Sequence, residues 1–221
     1  MIQAKKLHFN SNYLLVSLVI VFLIWFIYWC EIQFDFNFNK FGIYPRDLIG
    51  LRGVIFSPFI HSNTSHLFNN SIPFIVLFNL LFVFYKDTSY KVLIFGSLLT
   101  GLLTWIIARE SYHIGLSGVI YLLFSFIFFS GVIKKHFRLI AASLVVIFLY
   151  GSMIWYVLPI KDHISWEGHL SGFIVGFLFA FLFKNKGIKK ETRTFPETEF
   201  DSYFDEEGNF IGDTPINSFD E

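Results

Sequence analysis

Apolar residues gather in six long runs, 13–30, 66–85, 92–108, 116–133, 139–158 and 169–183. Each approaches the ~20 residues a helix needs to cross ~30 Å of hydrocarbon, the last being short. Phe, Ile and Val also favour strands, but these runs are too long for strands. They lack the apolar–polar alternation of an outer-membrane barrel. Backbone polar groups find no water in lipid, so apolar runs of this length are helical. The pattern predicts an all-α membrane protein, a bundle of six transmembrane helices. Lys5 and Lys6 precede the first run as they would in a cleaved signal. That run exceeds the usual apolar length of such a signal, and no small-residue cleavage site follows. It reads as a retained helix.

Composition narrows the functional classes. The chain is 54% hydrophobic, 21% aromatic and 15% charged, against about 25% charged in soluble domains. A chain this apolar is not disordered as a whole. Cys30 is the one cysteine, which excludes a disulfide-stapled fold. Lys+Arg and Asp+Glu both number 17, so no basic excess points to nucleic acid. The balance hides a split. Residues 1–190 hold 16 basic and 7 acidic side chains, and residues 191–221 hold one Arg and ten acids. The chain thus divides into a membrane domain, 1–190, and an acidic tail, 191–221. The tail's acids, Asn, Gly and Pro predict disorder. Its aromatics (Phe195, Phe200, Tyr203, Phe204, Phe210, Phe219) suit docking on a basic surface, although a solvated tail explains them too.

Lys and Arg counts set the expected orientation. With the N-terminus in the cytoplasm, twelve basic residues lie in cytoplasmic segments. Five (Lys40, Arg46, Arg52, Arg109, Lys161) lie outside. An even number of helices returns the C-terminus to the cytoplasm. The expected protein is therefore a multi-pass integral membrane protein with both termini inside.

Polar groups in spanning segments are costly and each is a functional candidate. His61, His66 and Asn70 cluster at the start of the second run, where helix capping is an alternative role. His66 and Asn70 share a helix face. His61 and His66, about 140° apart on a helix, do not make a two-ligand metal site; no metal or other cofactor is expected. Gly115, Ser117 and Gly118 open the fourth run. A serine at a helix N-terminus suits a nucleophile whose product is an oxyanion, although capping and close packing use the same residues. His169 opens the sixth run on one stripe with Gly172, Gly176 and Ala180. Asn79, mid-way along the second run, reads as an interhelical hydrogen bonder. The expected topology starts the second, fourth and sixth helices at the outer face, so Ser117, His169, His66 and Asn70 converge on one level. A serine needs a base, and histidine is the usual one. No acid lies inside the runs to orient it, which favours a Ser–His dyad over a triad.

His61-x4-His66-x3-Asn70, Gly115-x-Ser117-Gly118 and His169 with Gly172 and Gly176 together resemble the rhomboid family of intramembrane serine proteases. The resemblance covers roughly residues 10–185. It implies that Ser117 attacks the scissile carbonyl and His169 relays the proton. Asn70, His66 and the Ser117 N–H would stabilise the oxyanion. Tyr121 would pack on the catalytic ring, Gly118 would admit the sixth helix, and His61 would hold its neighbours in place. The partners implied are a transmembrane protein substrate and the bilayer; oligomeric state stays open. Leu51-Arg52 stands where the family often has Trp-Arg. Water for hydrolysis requires a polar cavity, into which 109–115 would dip and which 159–167 would cap. The family analogy adds a lateral route past the fifth helix. Cleavage is expected where a substrate helix unwinds near its outer end. A catalytically silent relative that binds transmembrane helices is the alternative. A small transporter lacks an internal repeat and a mid-membrane acid.

Overall fold

The computed structural model describes residues 11–149, 155–160, 164–187, 198, 200–205 and 208–212. Those of 11–187 belong to one compact unit and those of 198–212 to another. The helices are α1 (Ser11–Gln33), α2 (Gly53–Phe56), α3 (Thr64–Phe84), α4 (Ser89–Ile107), α5 (Ser117–Lys134), α6 (Phe137–Leu149) and α7 (Trp166–Leu182). Short 3-10 turns interrupt the connections. No strand occurs among the described residues; the pairings are isolated bridges, Ile43 with His113 and Phe204 with Phe210.

α1, α3, α4 and α5 are long and apolar enough to cross a membrane by length and composition. α6 has 13 residues and α7 has 17, about 20 and 25 Å of helix. The protein is an integral, multi-pass, all-helical membrane protein. The fifth apolar run does not continue as helix to Leu158. Trp155–Val157 is a separate 3-10 turn and residues 158–159 bend. Pro159 biases Leu158 away from helical geometry.

α5 is the central element. Every residue from Val119 to Ile127 is buried, as expected of a helix apolar on all sides. Its closest partner is α7, and glycines set that approach. A Cβ on Gly172 would stand 2.1 Å from the Gly118 carbonyl oxygen, and one on Gly176 would stand 2.3 Å from that of Leu122. Ser125 reinforces the seam by donating to the Phe173 carbonyl at 2.7 Å. α1 meets α3 through a narrow stripe, Ser17, Val21 and Ile24. Two polar bonds fix that contact: Asn79 Nδ2 donates to Ser17 Oγ at 3.0 Å, and Trp25 Nε1 to Ser71 Oγ at 3.0 Å.

The long connection from α1 to α3 is ordered by aromatics and arginines. Arg52 stacks over Phe41, 4.7 Å from its centroid, and donates to the Lys40 carbonyl at 2.8 Å. Arg46 donates to the Ala108 carbonyl at 2.7 Å, satisfying an acceptor at the end of α4.

The second unit is described by itself. Asp201 accepts from Thr198 N–H and Oγ–H, and Asp205 from Asn209 N–H at 2.7 Å. These short turns are closed through local side-chain-to-backbone bonds that require no packed core. The remainder of 191–221 lies outside the described residues.

Candidate active site

α3, α5 and α7 begin at one end of the bundle, and each brings polar residues there. Ser117 is the first residue of α5, where N–H groups lack intrahelical acceptors and the dipole favours negative charge. Gly115 makes the turn into it with φ +109°. A Cβ at Gly115 would lie 2.8 Å from Cε1 and Nε2 of His66 and 3.6 Å from Asn70 Nδ2. The glycine therefore lets His66 and Asn70 come up beside the turn that presents Ser117.

His169 sits one turn into α7 and is buried. Its Nε2 is 2.8 Å from Ser117 Oγ. Its Nδ1 is 2.7 Å from the carbonyl oxygen of Tyr156. A carbonyl only accepts, so Nδ1 carries the proton and Nε2 presents its lone pair to the serine hydroxyl. Tyr121 stacks on the imidazole, with centroids 4.3 Å apart and planes at 17°. It lies one turn after Ser117 on α5, so one helix presents the hydroxyl and supports the ring facing it.

His61 lies just before α3, whose N-cap is Asn63, accepting from His66 N–H at 2.8 Å. Asn70 Nδ2 approaches His61 Nε2 at 3.1 Å, and the Leu116 N–H donates to the same nitrogen at 3.4 Å. Burial, with His66 close by, pushes the His61 pKa down to about 3. The neutral ring ties Asn70 to the residue preceding Ser117. His61 and His66 rings stand 5.0 Å apart at 62°, and Ser62 Oγ lies 3.3 Å from His66 Nδ1. Ser117, His169, His66, Asn70, His61, Gly115, Gly118 and Tyr121 therefore all meet at one end of the bundle.

A cavity of about 40 Å³ adjoins Ser117, lined by Ser57, Ser97, Thr100, Thr104, His113 and Ser165 among others. A water needs about 10–15 Å³ of such space and several polar partners. Residues 109–115 do border it, through His113, Ile114 and Gly115. Glu167, expected within a capping segment, is instead in the first turn of α7, buried and paired with Arg109 at 3.2 Å. Burial holds the His113 pKa below its ordinary value.

Sequence reasoning missed three features: the Tyr156 carbonyl on His169, the Arg109–Glu167 pair and the His113–Ser165 contact. A backbone acceptor has no side-chain signature. The other partners are 58 and 52 residues apart. The one available signal was Glu167 itself, an acid at the threshold of an apolar run.

A family model described as the Rhomboid domain matches residues 50–186. The chain belongs to the rhomboid family. Uncharacterized proteins of Mycobacterium bovis and Mycobacterium tuberculosis are each 35% identical to it over 150 residues, 64% of this chain and 62% of theirs. One from Mycobacterium leprae is 31% identical over 166 residues, 69% of this chain and 63% of its own length. This rhomboid-family chain thus spans about three fifths of the length of the curated relatives it matches.

Proposed function

We propose that the protein is an intramembrane serine endopeptidase, cleaving transmembrane segments of other membrane proteins near their outer ends with a Ser117–His169 dyad. The observation that carries this reading is the 2.8 Å contact between Ser117 Oγ and His169 Nε2 at the N-terminus of α5. His169 Nε2 takes the hydroxyl proton as Oγ adds to the scissile carbonyl. The imidazolium then protonates the leaving amine, giving an acyl-enzyme and the first product. Water, deprotonated by the same nitrogen, releases the second product and restores the serine. The Ser117 N–H, Asn70 and His66 face the developing oxyanion; one such donor is worth about 3 kcal/mol in the transition state. Tyr121 stacks on the ring as it becomes cationic, an interaction that favours the charged form. The hydroxyl-lined cavity beside Ser117 holds the water that lipid excludes.

The domain limits belong to the same reading: residues 1–190 form the membrane domain, and 191–221 an acidic cytoplasmic tail. α6 and α7 complete six crossings, with both termini in the cytoplasm of a prokaryotic cell and the site opening outward. A transmembrane substrate arrives from the bilayer past α6. It is cut where Gly or another helix-weakening residue loosens its helix, because an intact helix shields its own carbonyls.

Reconstitution in liposomes with a reporter transmembrane substrate tests the proposal. Cleavage by the wild type, and its loss in folded Ser117→Ala and His169→Ala, is the expected result. Substantial cleavage by either variant sinks the dyad. A folded wild type that binds the reporter without cutting it indicates a helix-binding relative instead.

A further inference from the structure

Two segments lead into the dyad. Residues 109–116 lead into Ser117, and residues 164–168 lead into His169. They are joined at two points. Arg109 NH1 donates to both carboxylate oxygens of Glu167, at 3.2 and 3.3 Å, and the Arg109 backbone N–H donates to Oε1 at 3.3 Å. Arg109 NH2 also reaches the Ile164 carbonyl at 2.8 Å. Four residues on, His113 accepts from the Ser165 hydroxyl through Nδ1 at 2.7 Å, while its Nε2 donates to the Arg109 carbonyl at 3.0 Å. His113 is itself fixed by reciprocal backbone bonds with Ile43, at 2.9 and 2.8 Å.

We propose that the Arg109–Glu167 pair, with His113–Ser165 beside it, is a positioning clamp that sets the approach of His169 to Ser117. This rests on the protease reading. At the level of Ser117, α5 and α7 meet through Gly118, Gly168 and Gly172, which have no side chains to interlock. Such a seam allows close approach, and at this level it carries no side chain of its own that sets the rotation of α7. The Arg109 guanidinium supplies direction, held by both oxygens of the Glu167 carboxylate and by the Ile164 carbonyl. Glu167 stands two residues before His169 in the first helical turn, where an acid also suits the helix dipole. Its side chain is 2% exposed against 39% for Arg109. Stability alone does not call for such a pair, because well-packed apolar residues usually serve as well or better.

The test compares wild type, Arg109→Lys, Arg109→Gln/Glu167→Gln and Ser117→Ala in detergent. The double variant removes both charges and so leaves no unpaired buried ion. Second-order labelling by a fluorophosphonate probe and steady-state cleavage of the reporter are measured beside the melting temperature. The double variant is expected to melt close to wild type and to label about tenfold to a hundredfold more slowly, the range a misplacement near 1 Å produces. Its kcat should fall with KM little changed, and Arg109→Lys should fall between. Wild-type labelling by the double variant, or a change in KM alone, overturns the clamp. A wild type that never labels overturns the protease reading instead. The clamp then stands on 15N-histidine spectra, with His169→Ala assigning the ring signals. A His169 Nδ1–H resonance shifted or broadened in the double variant supports it, and unchanged signals overturn it.

Discussion

Tyr156 gives His169 a neutral acceptor where a carboxylate serves in a triad. A peptide carbonyl selects the imidazole tautomer as well as a carboxylate does, but stabilises the imidazolium less, since it carries a dipole and no charge. The proposed dyad therefore leans on fixed ring orientation, which makes Tyr121 its most telling neighbour. Tyr121→Phe keeps the stack and is expected to retain most cleavage. Tyr121→Ala frees the ring and should lower kcat about tenfold or more, at the lower end of what lost orientation costs. Equal kcat values for the two variants would refute the orienting role. Gly115→Ala is harsher. It places a Cβ 2.8 Å from the His66 ring at φ +109°, a conformation costing about 1–3 kcal/mol for a non-glycine residue. Thermal unfolding should register that loss, and labelling of Ser117 should fall with it. At this scale Ser117, His169, His66 and Asn70 were legible as candidates through residue type and spacing, and Tyr121 through the family resemblance. The sequence carried nothing about Tyr156, whose contribution is a main-chain oxygen.

At the scale of elements, the decisive contact is α5 on α7. Gly172 has no room for a side chain, with the Gly118 carbonyl 2.1 Å from where its Cβ would be. Gly172→Val must part the helices, at about 1–3 kcal/mol or more for an overpacked core site. The same separation carries His169 away from Ser117. A lower melting temperature together with lost labelling is the expected pair of results; lost stability with intact labelling would show the dyad to be indifferent to the seam. The long helices were legible because lipid-scale apolar runs leave the backbone no other structure. Helix ends were less so. The second run was expected to begin at His66, yet Asn63 caps it and the helix starts at Thr64. The fifth run stays apolar on both sides of Gly151 and Ser152, so hydrophobicity alone did not separate α6 from the Trp155–Val157 turn that brings the Tyr156 carbonyl to His169.

At the scale of the whole molecule, the zero formal charge conceals a basic body and an acidic tail, and the distribution of Lys and Arg sets the expected orientation. Reporter fusions in the 86–91 and 134–138 connections should report a cytoplasmic location, and fusions within 32–63 an external one. The reverse pattern would place the site on the other side of the membrane and overturn the proposed direction of substrate access. Long-range polar pairing was the least legible feature. Arg109 and Glu167 read separately as boundary charges, and only the fold makes them partners. The central claim, that Ser117 is a nucleophile activated by His169, is met most directly by fluorophosphonate labelling of the purified, folded protein. Activation by His169 predicts modification of the wild type at Ser117, none in Ser117→Ala, and a rate lowered about 10³-fold or more in His169→Ala. A folded wild type that resists the probe, or a His169→Ala variant that labels as fast as wild type, would contradict it.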